Sequence, residues 1–537
     1  MKMIRFAKPA ASRNVPDHGQ ATRLPRGVTV PAQARPGPWW GALAAAVAVL
    51  LLPLLITDVP PILDYPNHLA RLVLLHAGPD DPVLGRFFEP HWTILPNLAI
   101  DVIVTPLLGL LPPHVAGRSM LGGILLLNLA GVIALHRALF GRRSYWPLAS
   151  VLMAYNSTFL LGFLNWQVGS GLAMLATAGW MTWRERRPIP TIAAASLVSI
   201  LLFFCHLMGV AFFLLLIGSA ELRAMWGKTG IVARIAGLVP VAAGPLVMAL
   251  QTSLRDAAPS THWMSLYDKS VQVASPFINY VFTLDLFSAA SVYGGIILGL
   301  AVGWLIVAPN AVVAFIVVVA AYTVLPFDLM SAAFLDTRVA IMIGWLAFAV
   351  VSPVVPHAAG WRLVAAGCAM LFVARMGVVA DAWNDHRRDL AEFRSVIALI
   401  PQGSAVHMVN VPQEEAPDYW DAGPRSRRLS NTLRADYHLP ALLFIERGAF
   451  WPVLFANPAQ QPIRLRPHYA RLTRIAQVTP PHAKLVTDPA RATETLRAFD
   501  FVLLQEAGAA GDLTGFVPQC LSLVKRTEFV ALFRVTC

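Results

Sequence analysis

Residues 286–327 contain no Asp, Glu, Lys or Arg, and only Ala308-Pro309-Asn310 interrupts the apolar run. A helix crosses a bilayer with about 20 apolar residues, so this stretch reads as two spans in succession. Charge-free runs of similar character fall at about 39–57, 119–135, 146–163, 168–183, 189–205, 207–220 and 235–254, and two more apolar runs follow at 339–355 and 361–380. The count is eleven, and 13% of the 537 residues are charged against about 25% in an ordinary globular domain. The fold class expected is an α-helical polytopic membrane protein with about eleven transmembrane helices.

The basic residues fix the orientation. The first 38 residues hold seven Lys/Arg against the single acid Asp17, which reads as a disordered cytoplasmic tail. The first apolar run begins only at Trp39, with no small-residue site after it, which argues against a cleaved signal peptide. The stretch 95–111 is apolar but carries Pro96, Asp101 and Pro106. Counted as a span, it would put the clusters Arg137/Arg142/Arg143, Arg184/Arg186/Arg187 and Arg223/Lys228/Arg234 outside. Read as a helix in the interface, it leaves them all inside, as the positive-inside bias demands. Residues 58–117 then form one long outer loop, 39–380 the transmembrane domain, and 381–537 an extracytoplasmic domain. The net charge of +12 serves topology, and no aromatic-interleaved basic patch points to nucleic acid.

The last segment alternates β-like runs (405–411, 499–505, 529–535) with helix-like ones (389–400, 490–499), the pattern of a small α/β domain. Cys205 and Cys368 lie inside spans as small apolar residues. Cys520 and Cys537 bracket an expected hairpin, and are the disulfide candidates of an oxidising compartment.

Chemistry concentrates in the outer loop. Asp58 follows the first span, and Asp64 precedes Tyr65-Pro66-Asn67-His68-Leu69-Ala70-Arg71. A capping-type Asp before a Pro in the first turn predicts a helix there, with His68 and Arg71 three apart on one face. Leu69, Leu72 and Val73 should cover the membrane or core side. Asp64 can cap that helix, serve as a general base at the water–lipid boundary, or do both. Further along lie Glu89 and His91, within Phe87-Phe88-Glu89-Pro90-His91-Trp92. At the same ends of later spans sit Asn165-Trp166-Gln167, His206, His262-Trp263 and Asp336-Thr337-Arg338. An arginine at the outer end of a span opposes the charge bias, which makes Arg338 a candidate clamp for a phosphate.

No Walker loop, GxGxxG, GxSxG, HExxH or CxxC occurs. The sequence is similar to the GT-C superfamily of polytopic glycosyltransferases, which includes protein mannosyltransferases and the lipid A aminoarabinose transferase. The similarity spans nearly the whole chain as a plan. At motif level it rests on Asp64 or Asp58 with Tyr65 and His68-Leu69-Ala70-Arg71, on Phe88-Glu89-Pro90-His91, and on Gly117-Arg118 leading to Leu139-Phe140-Gly141-Arg142-Arg143. The adjacent acidic pair usual in that group is absent here, so the base stays open between Asp58 and Asp64. What the resemblance implies is transfer of a sugar from a polyprenyl-phosphate donor to a glycan, lipid or protein acceptor at the outer face of a bacterial-type cytoplasmic membrane. Asp64 or Asp58 would act as base, and His68, Arg71, Glu89, His91 and Arg338 would bind substrate. The sequence requires no cofactor, a divalent metal being compatible with such a site. The alternatives are a lipid-linked saccharide transporter or a non-enzymatic envelope assembly protein. Polar residues gathered at one membrane face, without repeat symmetry, favour the enzyme.

Overall fold

The computed structural model describes residues 34–226, 230–252, 261–329, 332–354, 358–411, 423–431, 433–478, 495–510 and 520–537. Most of the basic tail, and the first half of the helix expected at 490–499, lie outside the described residues. Among the described residues, seven helices are long and apolar enough to cross a membrane. They are α1 (Pro36–Leu51, continued to Leu55), α4 (Pro113–Phe140), α7 (Pro188–Cys205), α8 (Leu207–Met225), α9 (Ile231–Gln251), α11 (Phe282–Ala301) and the first part of α14 (Ala358–Ile397). The chain is a helical membrane protein.

Four of the expected spans look different. The run 168–183 is α6 (Leu164–Trp183), a full-length helix outside those seven. The run after Pro309 yields α12 (Val312–Val324), whose 13 residues cover only about 20 Å. In place of 339–355 stands α13 (Leu335–Ala349), followed by the strand β5 (Val351–Pro353) paired with β3 (Leu305–Val307). The stretch 146–163 is not one α-helix either. It runs as a 3-10 segment, Trp146–Met153, and then a single α turn, α5 (Ser157–Leu160). Ala34 N–H donates to the Arg143 carbonyl, and Leu63 and Asp64 N–H donate to the carbonyls of Leu160 and Leu161. The segment therefore runs beside α1 from end to end. Its residues Pro147, Leu148, Val151, Leu152 and Met153 are buried.

Among the described residues the most extensive helix contact is α4 on α6. A Cβ on Gly131 would lie 2.8 Å from the Gly171 carbonyl oxygen, so small residues set the spacing. A closed polar network sits between these helices. Asn128 Nδ2 donates to Gln167 Oε1 (3.0 Å), Gln167 Nε2 to Asn156 Oδ1 (3.0 Å) and Thr158 Oγ1 (2.8 Å), and Ser170 Oγ to Asn128 Oδ1 (3.0 Å).

At the Asp64 end of the bundle, α14 continues into the C-terminal segment and packs on its sheet. That mixed sheet has strand order β6-β8-β10-β9, with β6 (Val406–Asn410) parallel to β8 (Phe501–Gln505), and β9 (Leu521–Arg526) and β10 (Val530–Val535) antiparallel. The sulfurs of Cys520 and Cys537 are not bonded to each other. The ladder pairs Val535 with Leu521, so Cys520 faces Thr536.

The loop 58–112 is folded between bundle and sheet. Its strand β1 (Phe88–Pro90) pairs with β7 (Ile463–Leu465). The stretch 95–111 contains α3 (Ala99–Val104) and a 3-10 turn to Gly109, roughly 16–22 Å in length and too short to cross about 30 Å of hydrocarbon. It buries Ile100, Asp101 and Val104 and exposes the apolar Val102, Ile103 and Leu110.

Candidate active site

Helix α2 (Tyr65–Ala77) starts as its sequence dictates, with Pro66 in the first turn and Gly78 (φ +83°) closing it. It is not half exposed as its amphipathic pattern suggested. Asn67, Leu69, Arg71, Leu72 and Leu74 are buried and Val73 is partly so, because the bundle covers one side and the C-terminal segment the other. Asp64 stands at the N-cap, yet its carboxylate makes no capping hydrogen bond. It turns to His438, whose Nδ1 lies 2.9 Å from Asp64 Oδ1 across 374 positions of sequence. Both side chains are nearly buried, at 15% and 10% exposure. A carboxylate without a proton only accepts, so opposite one the donor of this bond is Nδ1–H, and in a neutral ring the lone pair then sits on Nε2. Nε2 makes no hydrogen bond to a described residue. Phe455 stands edge-on to the His438 ring at 4.9 Å, with Tyr437 at 5.1 Å and Trp451 at 6.1 Å. The His438 segment is anchored to the sheet. Arg434 Nη2 donates to Asp436 Oδ1 (2.9 Å), Nη1 to Glu506 Oε2 (3.3 Å), and Gln505 Nε2 to Asp436 Oδ2 (2.9 Å).

Beneath Asp64 lies the Gly162–Phe163 turn. A Cβ on Gly162 (φ +84°) would come within 2.7 Å of Asp64 Cβ. Arg338, at the start of α13, sits over the Phe163 ring at 4.5 Å, so the turn separates it from Asp64, whose charge acts on it. Arg338 Nη1 donates to the Ala333 carbonyl (2.6 Å), while Nε is buried without a partner. The next residue, Phe334, holds φ +61°, a conformation that costs a bulky side chain of order 1–3 kcal/mol. The strain aims the Ala333 carbonyl at the guanidinium.

His68 and Arg71 are close to Asp64 but already engaged. Arg71 grips Asp101 with Nε (2.6 Å) and Nη2 (3.1 Å) in a buried pair. That Nη2 also donates to His68 Nδ1 (3.1 Å), and His68 Nε2 donates to the Gly162 carbonyl (3.0 Å). Burial, reinforced by the Arg71 charge, lowers the His68 pKa to about 3, so the ring stays neutral. These residues brace the turn under Asp64. Asp58 is held elsewhere. Arg394 donates to it through Nη1 (3.1 Å) and Nη2 (2.6 Å) and also binds Glu446 (2.7 Å), which receives His114 Nε2 (3.1 Å). Burial raises the Asp58 carboxyl, but the Arg394 hydrogen bonds and charge outweigh it and hold the pKa below the usual value.

Glu89 and His91 lie on the β1–β7 ribbon. Glu89 pairs with Arg464 and with Arg466 (3.1 Å), and His91 N–H donates to the Pro462 carbonyl (2.7 Å). Asn165 caps the α3 region through Ile100 N–H (3.0 Å), His206 caps α8, Thr337 accepts from Gln272, and His262 and Trp263 are exposed. Among the described residues no group of three or more His, Cys, Asp or Glu is placed to hold a metal ion. His438 carried no sequence signal, since nothing in Asp436-Tyr437-His438-Leu439-Pro440 ties it to a loop near the opposite end of the chain. Compared with family models and with curated proteins, the sequence matches none.

Proposed function

We propose that this protein is a polytopic glycosyltransferase of the GT-C type, moving a sugar from a polyprenyl-phosphate donor to an acceptor at the outer face of a bacterial-type cytoplasmic membrane. The observation that carries this reading is a carboxylate–imidazole pair at the end of the membrane helices, with a buried arginine whose Nε lacks a partner on the far side of the Gly162–Phe163 turn. A carboxylate-linked base activates an acceptor hydroxyl, a role worth about 10²–10⁴-fold. A preorganised guanidinium stabilises the departing lipid phosphate, and Arg338 takes that role. The donor brings its own membrane anchor, so no nucleotide fold is needed.

In this reading the Arg143 end is cytoplasmic and the Asp64 end, with the C-terminal sheet, is outside. The chain crosses eleven times, the buried 3-10 segment and the short α12 and α13 included. Contacts at alternate ends support that count: Arg142 with Pro353 and Arg184 with Glu221 at one end, and His114 with Glu446 at the other. Asp58, locked to Arg394, is the structural member of the aspartate pair, and Asp64 the catalytic-site one.

The experiment scores Asp64→Asn and Asp58→Asn for transfer from a polyprenyl-phosphate sugar in membranes. Asp64→Asn should lose about 10²–10⁴-fold in kcat, with Asp58→Asn closer to wild type. Full activity in both removes the mechanism.

A further inference from the structure

We infer that His438, through Nε2, accepts the acceptor's proton, and that Asp64 is its positioning residue; this rests on the glycosyl-transfer reading. The geometry separates the two roles. Asp64 Oδ1 receives the Nδ1 hydrogen at 2.9 Å, which fixes the tautomer and ring plane and leaves Nε2 as the ring's basic atom. Rings of Tyr437, Trp451 and Phe455 hold the imidazole in place. Free imidazole binds protons about 2 pH units more tightly than a carboxylate, so it is the better base near neutral pH.

The step balances within the named groups. The acceptor O–H proton passes to Nε2 as the oxygen's electron pair forms a bond to the anomeric carbon. The bond from that carbon to the phosphate oxygen breaks, its electron pair leaving on the lipid phosphate beside Arg338. The imidazolium formed is matched by the Asp64 carboxylate, and its proton returns to water after product leaves. The charged and titratable groups around His438 are Asp64 and neutral His68 from the α2 side, Arg338 across the Gly162–Phe163 turn, and Asp436 and Tyr437 on its own segment. The rings of Phe455 and Trp451 add none.

The test uses the full-length protein in lipid nanodiscs with a polyprenyl-phosphate sugar. His438→Asn keeps a donor where Nδ1 stood and removes Nε2. It should lower kcat by about 10²–10⁴-fold and abolish the acid limb of the kcat/KM profile, with the donor KM within about threefold. His438→Gly should recover turnover when imidazole is added. Asp64→Asn should also be slow, yet keep the acid limb and gain nothing from imidazole. A His438→Asn enzyme within about tenfold of wild type would show that Asp64 itself takes the proton, and overturn the proposal. So would an imidazole-silent glycine variant that melts as wild type does. Wild-type protein without turnover on any such donor removes the transfer reading and the proton role together. Nitrogen-15 histidine spectra separate that case: a Nδ1-protonated ring lost in Asp64→Asn would establish the dyad without the chemistry.

Discussion

Gly162 decides where Asp64 can stand. Its φ of +84° suits glycine, and the site of its missing Cβ is 2.7 Å from the Asp64 Cβ. Gly162→Ala therefore meets both a backbone penalty and a clash. The backbone strain alone should cost about 1–3 kcal/mol, and the displaced carboxylate should cost kcat as well. A thermal-melt comparison with an activity assay checks this, and a variant with wild-type melting and turnover would refute the close packing. Around this glycine, Arg71 and His68 act as braces. The buried Arg71–Asp101 pair keeps α3 against α2, and neutral His68 bridges Arg71 to the Gly162 carbonyl.

At the scale of elements, α2 is the keystone, carrying Asp64 at its N-cap and meeting bundle and C-terminal segment on opposite sides. Its docking on the C-terminal segment includes Phe455 N–H donating to Asn67 Oδ1 at 3.1 Å, and the neighbouring strand β1 adds Phe88 against Phe444 with 5.5 Å between rings. The β1–β7 ribbon contributes register more than energy. The Arg464 hydrogen bond to Glu89 depresses its carboxyl pKa despite some desolvation, but the pair is water-exposed and such pairs contribute little, about 0–1 kcal/mol. Glu89→Gln should leave melting and turnover near wild type in parallel assays. A large loss of kcat would return Glu89 to the reaction.

For the whole molecule, the junction between bundle and sheet is ionic where it reaches water. Arg394, far along α14, holds Asp58 from the first loop and Glu446 from α15 (Leu442–Arg447). Burial raises both carboxyls, but hydrogen bonds from Arg394 to Asp58, and from His114 and Arg394 to Glu446, leave both below their ordinary values. Groups that titrate lower in the fold than unfolded stabilise fully above the unfolded pKa, about 4. That contribution fades as pH falls through the folded values. The melting difference between wild type and Arg394→Gln should thus be largest near neutral pH and shrink below about pH 4. A constant gap would mean the cluster is not linked to folding.

The sequence by itself determined membrane residence, most of the long helices and the start of α2. These follow from charge-free length and from a Pro in a first turn, both local properties. Only the tertiary structure could show that 146–163 is a buried 3-10 segment followed by one α turn, because that depends on neighbours satisfying and covering its backbone. Only it separated Asp58, tied to Arg394, from Asp64. Only it turned Arg71 inward to Asp101 and brought His438 to Asp64. A hydrogen bond between residues 374 positions apart leaves no periodicity to read. It forms because the loop and the C-terminal segment bury apolar surface against each other, and the polar groups carried along must then find partners.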